Sequence, residues 1–98
     1  KERNEDKSMK KTIITVVGQD TVGITAKVCT YLAENNINIL DITQTIVDGY
    51  FNMMMITDTS MCPKKISVIS EELDAVGTEI GVVIHAQLED IFTKMHRI

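Results

Sequence analysis

The chain has 98 residues and a mass of 11.0 kDa, which fits one domain and excludes a two-domain enzyme with a cleft between its lobes. Its residues are 44% hydrophobic and 24% charged, the balance of a folded globular chain. The formal net charge is −4, and residues 12–98 carry eleven acidic and five basic side chains. This excess of acidic residues excludes nucleic-acid binding, which needs a basic surface.

The N-terminal residues are more polar than the rest of the chain. Residues 1–8 contain no apolar side chain and are predicted to be a disordered tail or vector-derived, ahead of a domain over 9–88. No apolar run approaches the roughly 18 residues of a membrane span, and no hydrophobic stretch follows the N-terminus. We therefore expect a soluble, cytoplasmic protein that does not bind membranes.

Apolar periodicity predicts seven elements in chain order. A β-branched run predicts the first strand, and apolar residues at helical spacing, ending at Asn35-Asn36, predict the first helix. Asp48-Gly49 is a strong hairpin signal, and Gly81 is predicted to end the second long helix. The predicted elements are a strand over 12–17, a helix over about 21–34, strands over 39–47 and 50–57, a helix over 65–80, a strand over 82–87 and a short C-terminal helix over 89–96.

This order predicts an α+β, ferredoxin-like βαββαβ fold, with a four-stranded antiparallel sheet in the order 4-1-3-2 and both helices on one face. The third strand carries apolar residues on both faces: Tyr50 and Met54 point one way, and Met53 the other. The two long helices can cover only one face. The C-terminal helix is an alternative cover for part of the other face, but a second copy of the chain covers it most simply, so we expect a homodimer.

Proteins with this fold have several different functions, and the residues of the turn after the first strand indicate which of them this chain can have. This turn contains no cysteine or histidine for a metal and no arginine for a phosphate, and the aromatic residues Tyr50 and Phe51 face opposite ways instead of forming an RNA-binding platform. Neither cysteine has a second ligand at metal spacing; Cys29 is interpreted as a helix hydrophobe and Cys62 as a loop thiol that is simply exposed. We predict no catalytic residue, no metal and no cofactor.

The turn at 18–24 nevertheless has features of a small-molecule site. A strand ends and a helix begins there, so free backbone N–H groups can bind a carboxylate or phosphate. Gly23 lacks a Cβ, so a ligand or a neighbouring chain can approach its backbone, and Asp20 offers a carboxylate to an ammonium group. Together they suit a free amino acid. The alternative is that Asp20 is only the helix N-cap, bonded to the N–H of Val22 or Gly23.

Gly18-x-Asp20-x-x-Gly23-Ile24, followed by Val28, Leu32, Asn36-Ile-Asn-Ile39 and Asp41-Ile42, resembles the ACT domain, a regulatory amino-acid-binding module. The likeness runs from Met9 over nearly the whole chain and is closest to small stand-alone bacterial ACT proteins of unassigned role. In amino-acid-binding members the effector lies between two domains, touching the first turn of one and the start of the second strand of the other. The resemblance therefore implies a ligand-binding set of Gly18, Gln19, Asp20, Thr21, Val22, Gly23 and Ile24, with Asn38 and Ile39 across the interface.

The resemblance implies a regulatory domain that senses an amino acid at a homodimer interface and signals by a change of conformation or assembly. The alternative is an interaction module that binds no metabolite and docks a partner enzyme or regulator. Another alternative is a small hydrolase or isomerase using Asp20 and His85, although the predicted fold shows no obvious link between them. Asn38 also has a plainer interpretation, as the residue whose side chain closes the loop after the first helix.

Overall fold

The computed structural model describes residues 10–19 and 21–89, and the expected ferredoxin-like sheet is present. The four strands form one antiparallel sheet in the order β2-β3-β1-β4, the predicted order read from the opposite edge. Three predicted features lie outside the described residues: the tail over 1–8, the part of the C-terminal helix that follows Glu89, and the position of Asp20. The elements are β1 (Lys11–Gln19), α1 (Ile24–Glu34), β2 (Asn38–Val47), β3 (Tyr50–Asp58), α2 (Ile66–Ile80) and β4 (Val82–Leu88).

The helix α1 begins at Ile24, three residues later than predicted. Gly23 is its N-cap and has a φ of +95°, so the backbone leaves helical geometry at that residue. The N-cap of α1 is therefore Gly23, not Asp20, and the predicted bond from Asp20 to the N–H of Val22 or Gly23 lies outside the described residues. The hairpin at Asp48 and Gly49 is as predicted, because both residues have positive φ, as a type I′ turn requires.

One face of the sheet and both helices enclose the core. Alternate residues of β1, β3 and β4 point to this face, because the register places Ile14 beside Met55 and Ala86. Ile24, Val28 and Leu32 of α1 and Ile69 and Leu73 of α2 complete the core, and all five are nearly inaccessible to solvent. The helix stripe that the sequence predicted is thus the buried one.

Two glycines set how closely β4 packs on its neighbours. A Cβ on Gly18 of β1 would lie 2.7 Å from Cγ1 of Val82, and one on Gly77 of α2 would lie 2.6 Å from the backbone oxygen of Val82. Real side chains do not tolerate such distances. Both glycines therefore serve close packing around Val82.

The other face of the sheet carries apolar side chains that the chain itself leaves exposed. Near the start of β1 Ile13 is buried, but exposed apolar residues surround the end where β1 finishes. Neighbouring register rows bring them together, since Val17 lies between Asn52 and Val83. We call this set the apolar patch; its members are Val17, Val47, Tyr50, Met54 and Val83.

Over residues 10–19 and 21–89, the two helices are too short and too polar to span a lipid bilayer.

Candidate functional site

The turn between β1 and α1 presents backbone donors to its surroundings. The first hydrogen bond of α1 runs from the N–H of Lys27 to the oxygen of Gly23 at 3.0 Å. The N–H groups of residues 24–26 precede this bond and have no acceptor one turn earlier within the helix. Gly23 has no side chain to cap them, and no acidic residue lies in the first turn. The end of α1 is therefore a positively polarised site facing the turn.

The two glycines of the turn have different roles. Gly23 is required by its positive φ, and a Cβ there would meet nothing within 4 Å, so the space over it is open. Gly18 is required by contact with Val82, on the helix face of the sheet. Gly23 is thus the glycine whose surroundings leave room for a ligand or a second chain.

The remaining predicted residues of the turn are mostly exposed. Gln19, Thr21 and Val22 face solvent, and the side chain of Val22 is completely uncovered. The Thr21 hydroxyl donates to the oxygen of Gln19 at 3.3 Å, which steadies the turn locally. Ile24 is buried in the core, so only its backbone can reach a ligand. Asp20 lies outside the described residues.

The second half of the predicted site lies at the far end of the same sheet. Asn38 begins β2 and pairs with Asp58, which also pairs with Lys11 at the start of β1, whereas the turn follows Gln19 at the end of β1. Eight residue steps along a strand separate the two ends by about 26 Å. Asn38 is exposed and Ile39 half-buried against the core. Within one chain, the two halves cannot contact the same small molecule.

The structure gives no support to chemistry at His85 or the cysteines. His85 is exposed on the open face and pairs with Thr15, four residues before the end of β1. Cys29 is half-buried and Cys62 is buried, both as free thiols, so the expectation of an exposed Cys62 is wrong. The loop turns Cys62 inward, its N–H bonded to the oxygen of Thr59 at 3.0 Å. In the part of the chain described, no three His, Cys, Asp or Glu side chains converge as metal ligands would.

A polar cluster links the two helices, and no sequence pattern predicts it. The Tyr31 hydroxyl donates to Glu72 Oε1 at 2.8 Å, and Lys64 Nζ lies 2.7 Å from the same oxygen. The ammonium of Lys64 also lies 5.9 Å from the centre of the Tyr31 ring. Hydrogen bonds from Lys64 and from Tyr31 lower the pKa of Glu72. Glu72 is therefore a paired residue, held by Tyr31 and Lys64.

We predict that Tyr31 ionises far above the usual range. Burial, and then donation to the Glu72 carboxylate, raise the pKa of its phenol well above the ordinary value of about 10. The folded state thus favours the neutral phenol. The contribution of Tyr31 to the free energy of unfolding is fully present below the ordinary pKa of tyrosine and is lost as the pH rises above that value. In Tyr50→Phe, where Tyr31 is the sole tyrosine, the ultraviolet absorbance of tyrosinate reports the titration directly.

The matched control adds Glu72→Gln to the Tyr50→Phe variant. Removing the carboxylate is expected to bring the titration of Tyr31 down towards the ordinary range without reaching it, because burial remains. Ionisation of Tyr31 near pH 10 in the folded Tyr50→Phe protein would contradict the hydrogen bond to Glu72.

Comparison with known proteins gives consistent matches. The family model described as "ACT domain" matches residues 10–87. A UPF0237 protein of Bifidobacterium longum is 61% identical over 90 residues, covering 92% of this chain and 100% of that protein. An ACT domain protein from Streptococcus pneumoniae superposes with a TM-score of 0.76 at 40% identity, over 85% of this chain and 93% of that one. A formyltetrahydrofolate deformylase from Pseudomonas syringae also gives a TM-score of 0.76, but at 21% identity and over 31% of its own chain, so that likeness concerns the fold alone.

Proposed function

The chain belongs to the ACT domain family, and on that premise we propose that it is a non-enzymatic regulatory module that binds a free amino acid where two protomers of a homodimer meet. The observation that carries the proposal is the open turn between β1 and α1. There the first turn of α1 has no side-chain cap, and a Cβ on Gly23 would meet nothing within 4 Å. Such a helix end binds a carboxylate.

A second protomer is needed because one chain holds only half of the predicted site. Asn38 lies about 26 Å from the turn in its own chain. A two-fold partner arranged antiparallel to it would bring its own Asn38 to the turn, and each protomer would do the same for the other. The apolar patch supports this arrangement, since it surrounds the end of β1, where the turn begins.

In the proposed complex the carboxylate of the amino acid accepts hydrogen bonds from the first turn of α1. Its ammonium group bonds to Asp20 and to the side-chain oxygen of the partner protomer's copy of Asn38. Ligand bound between the protomers stabilises one packing of the dimer over others by its difference in affinity for them. Regulation of a separate protein then follows from that change.

We expect at least one of the twenty amino acids to raise the melting temperature. At ten times its dissociation constant, a ligand adds about 1.4 kcal/mol to the free energy of unfolding, which for a domain of this size is roughly 6 to 11 °C. Asp20→Ala and Asn38→Ala are each expected to abolish the shift. Asp74→Ala is the matched control, because it removes an equivalent carboxylate from the exposed side of α2 and should leave the shift intact.

Mixing the two inactive variants tests whether the site is shared. A heterodimer of Asp20→Ala and Asn38→Ala contains one site with both residues intact, so it should regain ligand binding at half the stoichiometry. A site within one protomer would regain none. A protein that no amino acid stabilises would contradict the sensor and favour the interaction module, for which the exposed apolar patch is the specific observation.

A further inference from the structure

A cavity of about 660 Å³ opens at the end of the sheet opposite the turn. It lies between the start of β1, the end of β4, the loop after β3 and the N-terminus of α2. Its size is that of pockets which take small organic molecules. No residue of the proposed amino-acid site lines it.

The charge around this cavity is opposite to that of the chain. Of the five lysines and arginines in the described residues, four line it: Lys10, Lys11, Lys64 and Lys65. A single acidic residue, Glu89, lies among its lining residues. Lys64 is paired with Glu72, whereas Lys10, Lys11 and Lys65 form no ion pair within the described ranges. An acidic protein that gathers its cations in one place carries mutual repulsion, which a bound anion would relieve.

The backbone adds to the positive potential. Lys65 is the N-cap of α2, a helix of 15 residues, and no side chain caps it and no acid lies in its first turn. Lys65 and Ile66 line the cavity, so the free N–H groups of this helix end lie at its wall. The lysine ammonium groups and the helix end thus act on the same space.

Part of the remaining wall is apolar, and hydrogen bonds hold the adjoining loop in place. Ile66, Ile69 and Leu88 contribute hydrocarbon surface beside the buried thiol of Cys62. The loop after β3 is held in place, since the N–H of Ser60 donates to Asp58 at 3.0 Å and the N–H of Thr59 donates to the oxygen of Lys10 at 2.8 Å. A ligand would therefore meet a fixed wall with a cationic rim and an apolar floor.

We propose that this cavity binds a small amphipathic anion, a molecule with a carboxylate or phosphate group on a short apolar body. The anionic group pairs with Lys11 and Lys65 at the rim, and the apolar body packs against Ile66 and Leu88. The turn of the amino-acid site lies at the opposite end of the sheet, and Asn38, which begins β2 at the same end as the cavity, is not among the lining residues. The two proposals therefore rest on different residues and are tested separately.

The test uses octanoate as the probe and 1-octanol as its neutral counterpart of equal chain length, followed by amide chemical shifts in NMR spectra. Octanoate is expected to shift the amides of Thr59, Ser60 and Ile66, and to bind at least tenfold more tightly than 1-octanol. Amino acids whose shifts are confined to residues 18–24, 38 and 39 would report on the other site.

The variant Lys65→Gln is expected to weaken octanoate binding about fivefold, because it removes one rim charge. The matched control is Lys27→Gln, which removes one charge from an exposed pair with Glu79 on the helix layer and should leave octanoate binding unchanged. Equal affinity for octanoate and octanol, equal weakening by both variants, or shifts confined to the apolar patch would each overturn the proposal.

Discussion

A lysine in place of Val17 is expected to convert the proposed homodimer to a monomer. Val17 stands near the middle of the apolar patch, between Asn52 and Val83 in the register, and nearly half of its side chain is exposed in one protomer. In a two-fold dimer each substitution occurs twice, so two unpaired lysine charges would be buried in an apolar interface. Burial of an unpaired charge costs several kcal/mol, which weakens association by at least 100-fold.

Light scattering with size-exclusion chromatography measures this change directly. Ile46→Lys is the matched control, because Ile46 is also an exposed apolar residue but lies on the edge strand β2 and on the opposite face of the sheet. It should leave the dimer intact. A dimer that survives Val17→Lys but is lost in Ile46→Lys would assign the interface to the β2 edge, and a monomeric wild-type protein would refute the shared site.

The variant Gly77→Ala is expected to destabilise the fold by about 2 to 3 kcal/mol. Helix propensity alone predicts the reverse, because alanine in place of a glycine inside a helix gains about 1 kcal/mol. The tertiary contact prevails, since the added Cβ would lie 2.6 Å from the backbone oxygen of Val82 and 3.1 Å from Cγ1 of Ile84. The helix could make room only by moving away from β4, which would loosen the buried contacts of Leu73.

Chemical denaturation measures the free energy of unfolding of this variant. Thr78→Ala is the control on the same helix, because Thr78 is exposed and its hydroxyl only bonds back to the oxygen of Asp74 at 3.1 Å. There the change in propensity acts alone, and we expect a small gain in stability. A Gly77→Ala protein as stable as Thr78→Ala would contradict the close approach of α2 to β4.

The sequence predicted most of the fold because its signals are local. Strand alternation and helical periodicity each depend on residues within a few positions, and both were correct to within three residues at every described boundary. The Asp48-Gly49 hairpin fixed β2 beside β3 in the same way. The start of α1 was placed too early, since only the backbone angle of Gly23 reveals where the helix begins.

The candidate site could be predicted only in part. The turn was identified from its glycines and the expected helix end, but Gly18 proves to serve packing against Val82, a contact between residues 64 positions apart in the sequence. The hydrogen bond between Tyr31 and Glu72 spans 41 positions, and no periodicity encodes it.

The amino-acid sequence alone determines the order of strands and helices, the faces of those elements that form the core, and the family of the protein. The tertiary structure decided which distant residues meet: Val82 against two glycines, Tyr31 with Glu72, and Lys11 near Lys65 around one cavity. The reason is physical. Secondary structure follows from steric and hydrophobic preferences that repeat over a few residues, whereas the spacing between elements follows from how closely whole faces pack, which no short stretch of sequence specifies.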